Sequence, residues 1–319
     1  ILSLEMLNKI FESKKIIYLR PLDMELASGG CHVNILYNGE MCNKFELDCN
    51  NCPQLNHLNI FNLSKKIFNK KKKIIEKFKP KIFLENNFTK NLYDRSPITK
   101  KALTETIFLG VNKNRINFIT KEDSRNLFNF NTDEKIILFG TFNLDAPHKG
   151  GLLIENILIK FISFLTQKNV LKKNKIKLVT FGRKNKFNIN IPQIKWVHLG
   201  VINSNEKLNN LYRAADVFIS PSTGCNGPHV ILEALFNNLP VVGFDQGVAQ
   251  DSIINSVNGY LVPCFNQDLF AESIYKALYS NKFNFENEKN RKVKNIFNSS
   301  HEAEVIAKHA NNDINTNLL

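Results

Sequence analysis

The sequence lacks the usual marks of a membrane or secreted protein. Its longest apolar stretches, around Ile136 to Gly140 and Leu152 to Leu158, stop well short of the roughly 18 residues a spanning helix needs. No secretory leader is recognisable, so neither a transmembrane segment nor a signal peptide is expected. An initiating Met is also missing. Ile1 opens inside a helical pattern with no capping residue before it, and the chain reads as a piece whose beginning lies elsewhere. Arginine is scarce: of 43 basic residues, 7 are Arg and 36 are Lys, while Asn occurs 46 times. Lys, Asn, Ile and Phe have A/T-rich codons, so a net charge of +14 follows from codon bias without an anionic polymer as partner. Groove readers of nucleic acid lean on Arg and on structured motifs absent here, so no nucleic-acid partner is expected. The densest basic cluster, Lys65, Lys66 and Lys70 to Lys73, alternates with Ile67, Ile74, Ile75 and Phe78 at helical spacing and reads as a solvated helix face.

What remains is a foldable chain. With 319 residues and 43% apolar content it can bury a core in one large or two ordinary domains, which excludes disorder and collagen. From about Glu134 onward, short β-branched runs alternate with amphipathic stretches, the pattern of a parallel sheet wrapped by crossover helices. Strands are expected at Lys135 to Gly140, Ile176 to Gly182, Ile194 to Leu199, Asp216 to Ser220, Pro240 to Phe244 and Gly259 to Val262. Helices are expected at Gly150 to Thr166, Glu206 to Ala214, His229 to Phe236 and Asp268 to Tyr279. Upstream, strand candidates at Lys15 to Leu19, Lys81 to Glu85 and Thr106 to Gly110, with helices at Leu63 to Phe78 and Phe88 to Tyr93, make half of a second Rossmann-like domain. Thr120 can cap a short helix over Lys121 to Phe128, and the polar turn Asn129 to Glu134 suits an interdomain hinge. The expected division is residues 1–130 for the incomplete Rossmann-like domain with its Cys-rich insertion, 131–300 for the complete Rossmann-like domain, and 301–319 for a terminal helix over His301 to Asn311.

Two loops carry the chemistry. In the first, Ser220 to Pro240, a buried strand runs through a polar loop into a helix that Pro228 can open. The amides of His229, Val230 and Ile231 then form an anion site at the strand's carboxyl end. Glu233, one turn on and on the face of His229, can accept hydroxyl hydrogen bonds from a vicinal diol such as a ribose. A helix start with a satisfied carboxylate would look the same. In the second, Gly140 to Gly151, Lys149 stands just before the next helix and can place a point charge on a diphosphate; taken alone, it would read as a surface lysine. Cys31, Cys42, Cys49 and Cys52 fall within 22 residues. Without a leader a disulfide framework is not expected, so the cluster reads either as a structural zinc site, with His32 a poor further candidate, or as free thiols.

The segments NGPHVILEALFNNLPVV, FDQGVAQDSI, NGYLVP and LYRAADVFISPS resemble the retaining glycosyltransferases of the GT-B fold, specifically glycosyltransferase family 4. FG…APHKG is similar to the phosphate loop of one subgroup. Gly29, Gly30, Cys31, His32, Cys42, Cys49, Cys52, Pro53, Gln54 and Leu55 are similar to that subgroup's N-terminal domain. The resemblance implies an α/β GT-B fold of two Rossmann-like domains, the first incomplete. It also implies transfer of a sugar from a nucleotide diphosphate sugar to a glycan or lipid-linked acceptor, with retention, in cell-surface polysaccharide biosynthesis. Location would be cytoplasmic, with peripheral contact at the inner face of the membrane. In the mechanism the family implies, the leaving diphosphate itself takes the acceptor proton, so no metal or cofactor is required for the chemistry.

By this resemblance Lys149, Glu233 and Asp23 are the catalytic candidates, while Arg183, Cys225, Asn226, Gly227, Pro228, His229 and Val230 bind the donor. Three positions depart from the family pattern. Cys225 stands where the family has the first Glu of its pair. Asn143 and Leu144 replace an Arg that Arg183, in the loop after the next strand, could supply. Leu22 replaces a His, leaving Asp23 as the polar group. These departures keep open a second reading, a truncated or degenerate member that binds nucleotide sugar and transfers little. A basic nucleic-acid-binding protein is a third.

Overall fold

The computed structural model describes residues 3–13, 15–36, 40–55, 61–113, 119–170, 175–224, 229–280 and 282–317. The chain forms two compact units, the first mainly Ile1–Leu109 with Glu302–Leu319, the second mainly Gly110–Thr223 with Gly227–His301.

In the first unit, α1 (Leu4–Glu12) packs near α2 (Leu63–Phe78), with the Phe11 and Phe78 rings 5.2 Å apart. The uncapped start expected for α1 does not hold: Ser3 accepts the Met6 N–H at 3.1 Å, the ordinary N-cap arrangement. A parallel sheet joins β1 (Tyr18–Leu19), β2 (Lys81–Leu84) and β3 (Leu103–Thr106) in that order, with α3 (Asn87–Arg95) between the last two. The first strand is shorter than the expected Lys15 to Leu19. The third lies ahead of Thr106 to Gly110, because Lys81 to Leu84 pair with Leu103 to Thr106. The polar alternation Leu-Thr-Glu-Thr has one face outward and hid this strand from an apolar-run criterion.

The basic run of α2 is not wholly solvated either. Lys71 is buried, and its ammonium donates to the carbonyls of Glu25 and Ser28, which lie in a segment without helix or strand. Burial holds the Lys71 pKa below its ordinary value against the pull of the nearby Glu25 carboxylate.

The second unit opens with α4 (Lys121–Leu127), capped by Thr120 through the Asp123 N–H as expected. Six parallel strands follow: β4 (Glu134–Asn143), β5 (Lys175–Arg183), β6 (Ile194–His198), β7 (Val217–Ser220), β8 (Val241–Phe244) and β9 (Gly259–Val262). Their order is β6-β5-β4-β7-β8-β9, the doubly wound 3-2-1-4-5-6 arrangement. The helices are α5 (Gly151–Gln167), α6 (Asn205–Ala214), α7 (Val230–Phe236), α8 (Val248–Ser252), α9 (Gln267–Tyr275) and α10 (Glu288–Ile296). The sequence reading located all six strands but missed α8, which is only five residues long, and α10, which is strongly polar.

Among the described residues one helical segment, Pro147–Gln167, is long and apolar enough by length and composition to cross a membrane. In the fold it is a core helix. Ile154, Ile157, Leu158, Phe161 and Leu165 are fully buried in one cluster with Ile137, Leu178, Ile219 and Phe270.

The unit boundary falls at Leu109/Gly110, ahead of the expected 130/131. The turn expected to be a hinge is pinned: buried Arg125 donates to the carbonyls of Asn131, Thr132 and Ala214 and pairs with Asp216 at 2.8 Å. The terminal helix α11 (Ser299–Asn317) is longer than expected, and most of it joins the first unit. Arg20 pairs with Glu302 at 2.7 Å, Tyr18 donates to Asp313 at 2.6 Å, and Lys81 meets the same carboxylate.

Candidate functional site

In a doubly wound sheet the ligand crevice lies beyond the strands' carboxyl ends where the order reverses, here between β4 and β7. The loops leaving those two strands are joined. The His148 carbonyl accepts the Thr223 N–H at 2.9 Å and the Ser222 hydroxyl at 3.0 Å. Lys149 ends the short 3₁₀ turn Pro147–Lys149, and Gly150 follows with φ of 79°. A side chain at Gly150 would need the left-handed region and would place its Cβ 2.0 Å from the Pro221 carbonyl oxygen, so only glycine lets the two loops approach this closely. The approach sets Lys149, half-buried, at the switch point of the sheet. Burial, then the Lys149 charge, lower the pKa of neighbouring His148, which keeps its imidazole neutral near pH 7.

A second lacing ties the neighbouring loops to this one. The Asp145 carboxylate accepts the N–H groups of Asn185, Lys186 and Phe187 at 2.5–2.8 Å. Partial desolvation opposes its ionisation, but the three donors outweigh it and hold the carboxyl below its ordinary value. The Arg183 carbonyl accepts the Leu144 N–H at 2.9 Å, and Gly182, with φ of 115°, donates to the Gly200 carbonyl at 2.8 Å. Arg183 itself is the last residue of β5 rather than a loop residue, and its exposed guanidinium lies 4.7 Å from the centroid of the Phe142 ring.

Beyond β7, α7 begins at Val230 with His229 as its N-cap. Cys225, Asn226, Gly227 and Pro228 lie outside the described residues. Glu233 stands on the same face as His229, with its Oε1 3.7 Å from His229 Nδ1, as the spacing predicts. Its Oε2 accepts the Tyr212 hydroxyl at 2.8 Å. Burial, reinforced by the Glu233 charge, pushes the Tyr212 hydroxyl well above its ordinary pKa, so Tyr212 remains a donor and fixes the carboxylate. A carboxylate has about four acceptor positions, so Glu233 keeps most of its capacity for a diol.

Glu233, His229, Asn205, Asn209 and Asn237 line a cavity of about 260 Å³ within the second unit. Asn237 donates to Asn209 and to the Glu233 carbonyl, while its Oδ1 and the buried His229 Nε2 have no hydrogen-bond partner among the described residues. Tyr212, the three asparagines and the His148 carbonyl were missed in the sequence. Tyr212, Asn205 and Asn209 sit on a helix at ordinary amphipathic spacing, Asn237 is the residue that ends α7, and a backbone carbonyl has no residue-type signal.

Lys149, Arg183, His229, Val230 and Glu233 thus all belong to the second unit. Asp23 belongs to the first and is heavily engaged there. Its Oδ1 accepts the Glu25 N–H at 2.8 Å, its Oδ2 lies 2.6 Å from His32 Nδ1, and Tyr93 donates to its carbonyl. The His32 pairing has no counterpart in the sequence reading. Among the described residues, Asp23, Glu25 and His32 are the one set of three such side chains whose ligand atoms lie within 4.8 Å of one another. None of Cys31, Cys42, Cys49 and Cys52 is in a disulfide; Cys49 is buried and the other three are half-buried.

Comparison with known proteins agrees with this architecture. Residues 154–296 match the family model described as glycosyl transferases group 1. Sucrose-phosphate synthase from Thermosynechococcus elongatus superposes with a TM-score of 0.61 at 20% identity, over 79% of this chain and 62% of that one. Anabaena HepE, solved with UDP and glucose, gives 0.64 at 14% identity, over 97% of this chain and 76% of that one. A glycosyltransferase from Rickettsia africae gives 0.58 at 18% identity, over 75% of this chain and 66% of that one. No curated protein sequence matches. The fold is α/β of the GT-B type, with two parallel sheets. The chain spans less than two thirds of the sucrose-phosphate synthase it resembles.

Proposed function

We propose that the protein transfers a sugar from a nucleotide diphosphate sugar to a glycan or lipid-linked acceptor, with retention at the anomeric carbon, in cell-surface polysaccharide biosynthesis. The observation that supports this reading is the joining of the β4 and β7 loops at the switch point, beside Lys149, together with a Glu233 carboxylate fixed by Tyr212. In the reading, the nucleotide's ribose lies against Glu233 and its diphosphate against Lys149 and the first amides of α7. Departure of the diphosphate needs stabilisation of developing negative charge, which a fixed cation and oriented N–H groups supply. The leaving diphosphate takes the acceptor proton, so the chemistry needs no metal. HepE, which shares the fold, was solved with UDP and with UDP-glucose, which makes a uridine diphosphate sugar the first donor to try.

Lys149→Ala should fold normally and lose about 10²- to 10³-fold in turnover, the cost typical of removing one transition-state donor. A variant that keeps full transfer activity would remove Lys149 from the mechanism. The second reading, donor binding with little transfer, rests on Cys225 in place of the family's Glu. It predicts that Cys225→Glu raises turnover in the otherwise unchanged chain.

A further inference from the structure

The ends of β4 and β5 are held more firmly than a surface connection needs, and what they hold outward is a phenyl ring. Gly140 pairs with Phe181 and Asn143 with Arg183, so β4 carries one extra residue in that stretch. A bulge of this kind re-aims side chains, and bulges gather beside ligand sites for that reason. Here Thr141 stays buried and Leu144 is fully buried in the core, while Phe142 between them is 71% exposed. Gly182 makes room for the bulge: its φ is 115°, and a Cβ there would lie 1.8 Å from the Thr141 carbonyl oxygen. The exposed Arg183 guanidinium lies 4.7 Å from the centroid of the Phe142 ring. Backbone on both sides of this pair is tied down. The Leu144 N–H donates to the Arg183 carbonyl, the Gly182 N–H to the Gly200 carbonyl, and Asp145 holds the N–H groups of Lys186 and Phe187. A lone apolar side chain on a surface needs no explanation. One held out by a bulge, a glycine and a laced backbone is different, because it stands at the carboxyl end of a switch-point strand, seven residues before Lys149.

We propose that Phe142 and Arg183 form a stacking platform for the nucleobase of the donor, and that the Phe142 ring sets how tightly a nucleotide is held. The proposal rests on the reading of the β4–β7 crevice as a nucleotide site and adds to it a place for the base. Every base has a π-face, and both an aromatic ring and a planar guanidinium stack against it. Because the backbone beneath the two side chains is already fixed, little ordering remains to oppose binding. Arg183 thereby acts through the plane of its guanidinium rather than as a charge on the diphosphate, the part left to Lys149. In this arrangement the nucleotide lies across the carboxyl edge of the sheet, with its base over the ends of β4 and β5.

The test is titration calorimetry on the full chain with UDP, GDP, ADP, CDP and dTDP, and with inorganic pyrophosphate as a probe that has no base. Phe142→Ala should weaken the nucleotide bound best by the unaltered chain about 5- to 100-fold, the range for losing one base–aromatic stack. Pyrophosphate binding should be unchanged in the same variant, whereas Lys149→Ala should weaken both probes. Phe142→Leu, which keeps apolar bulk without a ring, should lose nearly as much nucleotide affinity as Phe142→Ala, and Phe142→Trp should keep it. These two variants decide the matter if pyrophosphate binds too weakly to titrate or if Phe142→Ala folds poorly. Nucleotide affinity that is unchanged or raised in Phe142→Leu, or an equal loss for pyrophosphate in Phe142→Ala, would overturn the platform and leave the nucleotide site standing. An unaltered chain that binds none of the five nucleotides would instead remove the reading of the crevice, and the platform with it.

Discussion

The two units reach order by different means. The second is a six-stranded parallel sheet whose strands are nearly all buried and whose helix α5 sends five fully buried side chains into one apolar cluster. The first has a three-stranded sheet and, ahead of α2, a long segment that sends Met24, Ala27 and Phe45 into the apolar core but otherwise relies on point contacts: Lys71 on two carbonyls, Tyr93 on the Asp23 carbonyl, Ser96 on the Ala27 carbonyl. Apolar packing is divided among many atoms, whereas a carbonyl with one ammonium donor depends on one residue. The second unit should therefore respond to lost volume, and the first to lost polar partners.

The largest stability effect expected is at Phe161. Phe161→Ala should cost about 3–5 kcal/mol through lost burial and the cavity left behind. It should lower the unfolding midpoint of the second unit in urea while leaving hydrogen exchange in β2 unchanged; an equal effect on both units would break the comparison. Next is Lys71→Ala, expected to cost about 1–3 kcal/mol because the buried Ser28 carbonyl loses its ammonium donor and the Glu25 carbonyl keeps only the long Ser28 N–H contact. Faster proteolysis within residues 20–55 is the readout, and unchanged cleavage would count against the point-contact account.

The smallest effect is one of pH. Burial raises the Glu134 carboxyl, but the Lys177 ammonium and the Asn131 N–H outweigh it and hold its pKa below the ordinary 4.5. A depressed folded-state pKa stabilises fully above the unfolded value and is lost as pH falls through the folded one. Stability of the second unit should thus be flat near neutrality and fall below about pH 4.5. In Glu134→Gln that decline should be shallower.

The same contrast decided what could be read in the sequence. The second unit's strands are β-branched runs bounded by turns, and a parallel sheet buried on both faces makes that signal strong. All six were found, and Lys149 and Glu233 were picked out as candidates because both sit at fixed offsets from a strand end. β3 was misplaced because its residues alternate polar and half-exposed, and the apolar Ile107 to Leu109 beyond it imitates a strand. Lys71 was lost in a run of lysines whose other members are outside, since periodicity gives a face and not the carbonyls waiting on it. Residues that act through distant partners, Tyr212 on Glu233 and His148 on Thr223, leave no local pattern at all.

The most direct test of the central claim, that the β4–β7 crevice holds a nucleotide diphosphate sugar, is thermal unfolding of the full chain across a panel of such donors. At least one donor should raise the melting temperature of the unaltered protein, with a markedly smaller rise in Lys149→Ala at the same concentration. No shift with any donor, or an equal shift in both proteins, would contradict it.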